Sequence, residues 1–186
     1  MFEPSQIDLI AEARGGNPEA AGALYDQHHQ SIFRYLFYRT GDSQAAEDLT
    51  ADVFLKMVQS MAGFQGSLPA FRGWLFQIAR NLSIDHLRRS LAHPVEKISD
   101  EQRSLEDLPE ARAEYNLDVE SLREALGRLS AEHQDVLLMR FVEGMSLAET
   151  ARTLHKSEDA IKGLQRRALL GLHKSLTQEE INDERG

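Results

Sequence analysis

The sequence predicts an all-α protein built as two small helical domains joined by an acidic flexible linker. Three observations carry this. No stretch alternates apolar and polar residues over the run of positions a strand needs. Apolar residues recur instead at spacings of three and four, the signature of one helix face. That periodicity lapses from Ala92 to Asp118, where eight acids, three bases and two prolines leave no apolar stripe. The chain divides accordingly into an N-terminal segment (1–19), a helical domain (20–91), the linker (92–118), a second helical domain (119–176) and an acidic tail (177–186).

In order, Gly15-Gly16-Asn17-Pro18 reads as a turn before a helix from Ala20 to about Thr40. That helix carries Leu24, Ile32 and Leu36 with the aromatics Tyr25, Phe33, Tyr35, Phe37 and Tyr38. Gly41-Asp42-Ser43 ends it and starts another, Ser43 to about Met61. Asp42, Glu47, Asp48 and Asp52 precede its first base, Lys56. Carboxylates in the first turns suit the helix dipole; here they also lie beside the apolar Leu49, Val53, Phe54 and Met57. Gly63 to Pro69 is a loop by its glycine and proline content.

A fourth helix, Ala70 to about Leu91, buries Phe71, Leu75, Ile78 and Leu82 and carries Arg72, Arg80, Arg88 and Arg89 against the single acid Asp85. Basic residues interleaved with aromatics beside a loop suit single-stranded nucleic acid, which needs a phosphate track and stacking surfaces. A core role for Phe71 and a surface role for Asn81 are the plainer alternatives, and for the sole tryptophan, Trp74, both roles stay open.

After the linker, apolar periodicity resumes through Val119, Leu122, Leu126 and Leu129, then Val136, Leu137 and Phe141. Gly144 to Leu176 follows as a helix-turn-helix. Ser146 and Glu149 form a Ser-x-x-Glu capping box; Leu147, Ala151 and Leu154 share a face; His155-Lys156 breaks it; Ser157 offers a second N-cap. Ile161, Leu164, Ala168 and Leu172 mark the buried side of the second helix, with Lys162, Arg166, Arg167 and Lys174 elsewhere on it. A short helix, a short turn and a basic second helix describe a DNA-binding motif or, more plainly, a helical hairpin with a solvated basic face.

Composition narrows the function. With no cysteine, disulfides and thiolate metal sites are excluded. The seven histidines show no metal-ligand spacing and there is no glycine-rich phosphate loop, so the expectation is a non-enzyme without cofactor or metal. No apolar run spans a bilayer and no signal layout opens the chain, which predicts a cytoplasmic protein. The net charge of −9 is unusual for a freestanding DNA binder, whose affinity rests on phosphate neutralisation. Such a chain must concentrate its positive charge locally or borrow affinity from a partner.

The segments AAGALYDQHHQSIFRYL, GDSQAAEDLTADVFLKM and FRGWLFQIARNLSIDHLRR, within residues 20–90, closely resemble region 2 of the extracytoplasmic-function (ECF, group IV) sigma factors of bacterial RNA polymerase, in the sigma-70 family. LREALGRLSAEHQDVLLMRFVEGMSLAETA, leading into the helix-turn-helix, resembles region 4 of the same family. The resemblance implies partners: core RNA polymerase through its β′ clamp and β flap, promoter DNA and an anti-sigma factor. It implies that Glu47, Asp48, Leu49, Asp52, Val53, Phe54 and Met57 dock on the β′ clamp, a basic helical partner complementary to an acidic, apolar face. Phe64, Gln65, Ser67, Arg72, Trp74, Arg80 and Asn81 would lie near the melted −10 strand, with Arg88 and Arg89 on phosphates. Base flipping there costs unstacking energy that contacts must offset.

Ser157, Ala160, Lys162, Gly163, Arg166 and Arg167 would address the −35 element from the major groove. The chain departs from the family at His155 and Lys156, where glycine and an apolar residue are usual. It departs again at Ala160-Ile161-Lys162-Gly163-Leu164, where Thr-Val-Lys-Ser-Arg is common, and this puts the family's usual −35 preference in doubt. Docking on polymerase answers the charge puzzle, because tethering raises the effective concentration of both DNA-reading halves. A standalone helix-turn-helix regulator and a sigma-like interaction module without initiation activity are the alternatives.

Overall fold

The computed structural model describes residues 6–66, 68–92 and 121–183. All regular structure among them is helical: α1 (Gln6–Arg14), α2 (Pro18–Thr40), α3 (Ser43–Ser60), a 3-10 turn (Met61–Gly63), α4 (Leu68–Ala92), α5 (121–127), α6 (Ala131–Leu137) running into a π-turn (Leu138–Val142), α7 (Leu147–Thr153) and α8 (Glu158–Asp183).

Local chemistry sets the boundaries. Asn17 caps α2, its side-chain oxygen accepting from the amides of Glu19 at 2.9 Å and Ala20 at 3.4 Å, with Pro18 in the first turn where its missing N–H costs nothing. Helix α2 therefore begins two residues before the Ala20 start read from periodicity. At its far end Gly41 takes φ 70°, left-handed, and its amide donates to Phe37 O at 2.8 Å. The left-handed φ favours glycine here, and the Arg123 guanidinium lies over the bare Cα. Asp42 then caps α3 by accepting from Ala45 N at 3.1 Å.

Helices α2, α3 and α4 pack around Leu24, Ile32, Leu36, Val53, Phe71 and Leu75, all essentially solvent-free. Helix α1 lies over this bundle and buries Leu9, Ile10 and Ala13, so residues counted to the N-terminal segment belong to the first core. In the second half, Val136, Ala151, Ile161 and Leu164 form a small core inside the helix-turn-helix. Helix α8 continues through Asp183, well into the stretch expected as a polar tail.

One local expectation is overturned. Phe141 is 56% exposed rather than on the buried face. The π-turn inserts an extra residue per turn, with Glu143 N donating to Leu138 O at 2.9 Å. This shifts the register so that Leu138 and Met139 face inward while Phe141 points out.

The halves are not separate beads. The main core runs from the α2–α4 bundle into Leu126, Leu137, Leu138, Met139, Met145 and Ala168, and α7 packs on α4. The expected linker, apart from Ala92, lies outside the described residues.

Candidate nucleic-acid and partner-binding interface

Helix α3 divides its residues sharply. Leu49, Val53, Phe54 and Met57 are 0–5% exposed and form core, so of the expected docking residues only Glu47, Asp48 and Asp52 reach the surface. The apolar component of that face is supplied by residues the sequence reading passed over, Leu55 and Val58, each 56% exposed. Their spacing from Asp48 and Asp52, by threes and fours, was the available signal. Beside this face, a shallow groove between α2 and α3 is lined by Tyr25, His29, Phe33, Glu47, Ala51 and Phe54. Tyr25 stacks on His29 at 4.9 Å and meets Phe54 edge-on at 4.7 Å.

The expected −10 residues fall into three groups. Phe64 is buried, edge-on to Phe71 (5.6 Å) and stacked on Trp74 (4.9 Å, 30° between planes), so it supports the tryptophan rather than offering a free face. Trp74 is half-buried and lines a cleft between α4 and α7 with Gly73, Gln77, Glu149, Arg152 and Thr153. Gln65, Asn81, Arg88 and Arg89 are exposed; Arg88 lies 3.7 Å from Asp85. Ser67 lies outside the described residues.

Arg72 and Arg80 form the third group, and both are held by the other half of the chain. Arg80 Nε donates to Asp135 Oδ2 at 2.6 Å. The same carboxylate accepts from Tyr35 Oη at 2.8 Å and lies 3.6 Å from Arg39 Nε. Arg39 in turn donates from Nη1 to Gln134 Oε1 at 2.6 Å. Nearby, Glu143 takes a two-pronged pair from Arg34, Nε to Oε1 at 2.8 Å and Nη2 to Oε2 at 3.0 Å. Arg72 Nη2 lies 3.9 Å from the same carboxylate and donates to the Glu143 carbonyl.

Both acidic side chains are wholly removed from solvent. Buried carboxylates persist only when paired and hydrogen-bonded, and these are. Burial opposes the Arg80 charge, but the hydrogen bond and charge of Asp135 outweigh it and hold the guanidinium above its usual range. The hydrogen bond to Glu143 does the same for Arg34. Burial, reinforced by the Asp135 charge, pushes the Tyr35 phenol well above 10.

The helix-turn-helix is built as its caps predict. Ser146 Oγ accepts from Glu149 N at 3.1 Å while Glu149 Oε2 accepts from Ser146 N at 2.7 Å. The Ser146 hydrogen bonds hold the Glu149 carboxyl below its usual range. Ser157 Oγ caps α8 by accepting from Ala160 N at 3.2 Å. His155, where the family has glycine, takes φ 52°, so this chain places a side chain in a left-handed turn. Ser157, Ala160, Lys162, Arg166 and Arg167 are exposed on one end of α8. The Lys162 ammonium is 3.0 Å from Asp159, which raises its pKa, and the Arg167 guanidinium lies over Gly163. Leu164 is 7% exposed in the small core, so the leucine standing where the family has arginine is a packing residue here.

Comparison with known proteins agrees with this layout. Residues 24–91 match the family model for sigma-70 region 2 and residues 125–174 that for sigma-70 region 4. The chain is 36% identical over 176 residues to the ECF RNA polymerase sigma factor BldN of Streptomyces coelicolor, covering 93% of this chain and 66% of that one. It is 31% identical over 169 residues to the ECF RNA polymerase sigma factor SigX of Bacillus subtilis, covering 87% of each. Among solved structures, CnrH in complex with the cytosolic domain of CnrY superposes with a TM-score of 0.73 at 22% identity, covering 94% of this chain and 99% of that one. The sigma factor RpoE of Bartonella quintana, in complex with the anti-sigma factor NepR, gives 0.65 at 21%, covering 84% and 96%. With both regions present in order and a relative matched along nearly its whole length, the chain belongs to the ECF RNA polymerase sigma factors.

Proposed function

We propose that this chain binds core RNA polymerase in the cytoplasm and directs promoter-specific initiation, without catalytic chemistry of its own. The observation that carries this reading is the segregation of surfaces by half. The region 2 half presents an acidic and apolar α3 face plus an arginine-bearing α4, and the region 4 half presents a capped helix-turn-helix with Lys162, Arg166 and Arg167 exposed. Polymerase docks on Glu47, Asp48, Asp52, Leu55 and Val58. The carboxylates steer a basic helical partner, and the two apolar side chains supply the desolvated contact.

On α4, Trp74, Asn81 and the arginines address the opened −10 strand, where stacking and phosphate contacts offset unstacking. Helix α8 enters the major groove at the −35 element. Control by an anti-sigma factor fits two relatives solved as complexes, one with the cytosolic domain of CnrY and one with NepR. The docking surface is tested by Leu55→Glu and Val58→Glu. Each should lower affinity for core polymerase by tenfold or more, as loss of a central apolar anchor does. Undiminished affinity in both would remove α3 from the interface.

A further inference from the structure

The N-terminal half of α8 exposes Lys162, Arg166 and Arg167, each in a different setting. The Lys162 ammonium is 3.0 Å from Asp159, an acid on its own helix. Arg166 and Arg167 have no acid partner among the described residues. The Arg167 guanidinium is folded back one turn along the helix, over the bare Cα of Gly163. A Cβ at Gly163 would lie 3.5 Å from its Nη1 and 3.8 Å from its Nη2. We propose that Arg167 is the base-reading residue of α8, taking a guanine of the −35 element, and that Gly163 is its positioning residue. This rests on the promoter reading above and deepens it by naming which cation carries sequence information and what sets its place.

Glycine is the poorest residue for a helix interior after proline, so Gly163 weakens the helix that carries it. What it supplies is room. Residues four apart on a helix are surface neighbours, and Gly163 lies off the Ile161–Leu164–Ala168 stripe that faces the small core. The long side chain of Arg167 can therefore lie along the outer surface of α8 at that turn. The fold-back carries its charge about 6 Å, four residues at 1.5 Å each, toward the N-terminal end of the helix. That is the end of a recognition helix that meets base edges in the major groove.

Chemistry favours the arginine as the reader. Its planar fork matches the O6 and N7 acceptors of guanine with two parallel hydrogen bonds, which a lysine ammonium cannot reproduce. A guanidinium already lying against the helix also has less side-chain freedom to lose on docking than one extended into water. Lys162 is partly satisfied by Asp159 before DNA arrives. Leu164, where the family commonly has arginine, is core here, and the folded-back Arg167 returns a guanidinium to that turn.

The test uses holoenzyme formed from the full chain and core polymerase. The probes are duplexes of a promoter mapped from transcript starts, carrying each base pair in turn at every position of the −35 element. Wild type should prefer guanine at one position by about tenfold or more. Arg167→Ala and Arg167→Lys, the second keeping the charge, should both bring the four bases at that position close to equality and leave the other positions as they were. Gly163→Leu fills the space under the guanidinium with a good helix former and should lose the same preference although the arginine is still present. Gly163→Ala adds a Cβ at ordinary contact distance and should keep it. Circular dichroism checks that each variant retains its helix. A merely structural role would lower affinity for every −35 sequence alike, so a uniform loss with the guanine preference intact overturns the proposal. Preference retained in Arg167→Lys or in Gly163→Leu overturns it as well. Wild-type base discrimination that no variant alters leaves the promoter reading standing and removes Arg167 as its reader. Wild type with no base preference at the −35 element and no promoter-dependent transcript overturns the promoter reading and this inference together.

Discussion

Tyr35→Phe deletes one oxygen from the centre of the contact between the two halves. Tyr35 is fully buried, and its hydroxyl donates to Asp135 Oδ1 at 2.8 Å across a hundred residues of sequence. The ring also packs edge-on against Phe76 at 5.4 Å, a contact phenylalanine preserves. What is lost is a hydrogen bond to a buried charge, worth about 1.5–3 kcal/mol. For a chain of this size that corresponds to a fall in Tm of roughly 3–12 °C. Urea unfolding followed by far-ultraviolet circular dichroism reads the loss directly.

The decisive version is a double-mutant cycle. In an Asp135→Ala background the tyrosine has no acceptor, so Tyr35→Phe should cost nothing, giving a coupling of at least about 1.5 kcal/mol. The pH dependence supplies a second signature. Because burial raises the folded-state phenol well above 10, both states are protonated below that pH and the group contributes no slope. As pH rises past 10 the unfolded chain releases its proton while the folded chain retains it, so stability falls; Tyr35→Phe removes that part of the fall. Additivity of the two substitutions within about 0.5 kcal/mol would refute the hydrogen bond between the halves.

Two further outcomes concern the helix-turn-helix. His155 holds φ 52°, which a β-branched side chain tolerates poorly, so His155→Val should lower stability by about 1–2 kcal/mol while His155→Gly should not lower it; equal stabilities in urea would place the turn in an ordinary conformation. Arg166 is exposed on the proposed groove face, so Arg166→Ala in holoenzyme should reduce the slope of log affinity against log salt on −35 duplex by about 0.9, the value of one phosphate contact; an unchanged slope would take Arg166 off the DNA.

Helix faces, caps and the two-region organisation were legible because they are local. Ser146 with Glu149 and the Ile161–Leu164–Ala168 stripe can each be found within a few residues. On α4, Phe71 and Leu75 read as core correctly, yet Phe76, Ala79 and Ser83 are buried as well. Phe76 meets Tyr35 of α2, while Gly73 and Arg80 face Thr153 and Asp135 of the other half, and no local pattern on α4 announces those partners. The same reason hid Asp135 and Glu143, which look like ordinary helix-surface acids until Arg80, Arg39 and Arg34 are brought to them. On α3 the apolar residues were recognised, but the family resemblance assigned Leu49, Val53, Phe54 and Met57 to the partner. The core claimed them and left Leu55 and Val58 outside.

Run-off transcription with purified core polymerase, on templates carrying promoters mapped from transcript starts after overexpression, tests the central claim most directly. A chain that docks through α3 and reads DNA through α4 and α8 should convert core polymerase to promoter-dependent initiation, and Leu55→Glu should abolish the transcript. A chain that binds core polymerase yet yields no promoter-dependent transcript would contradict the account.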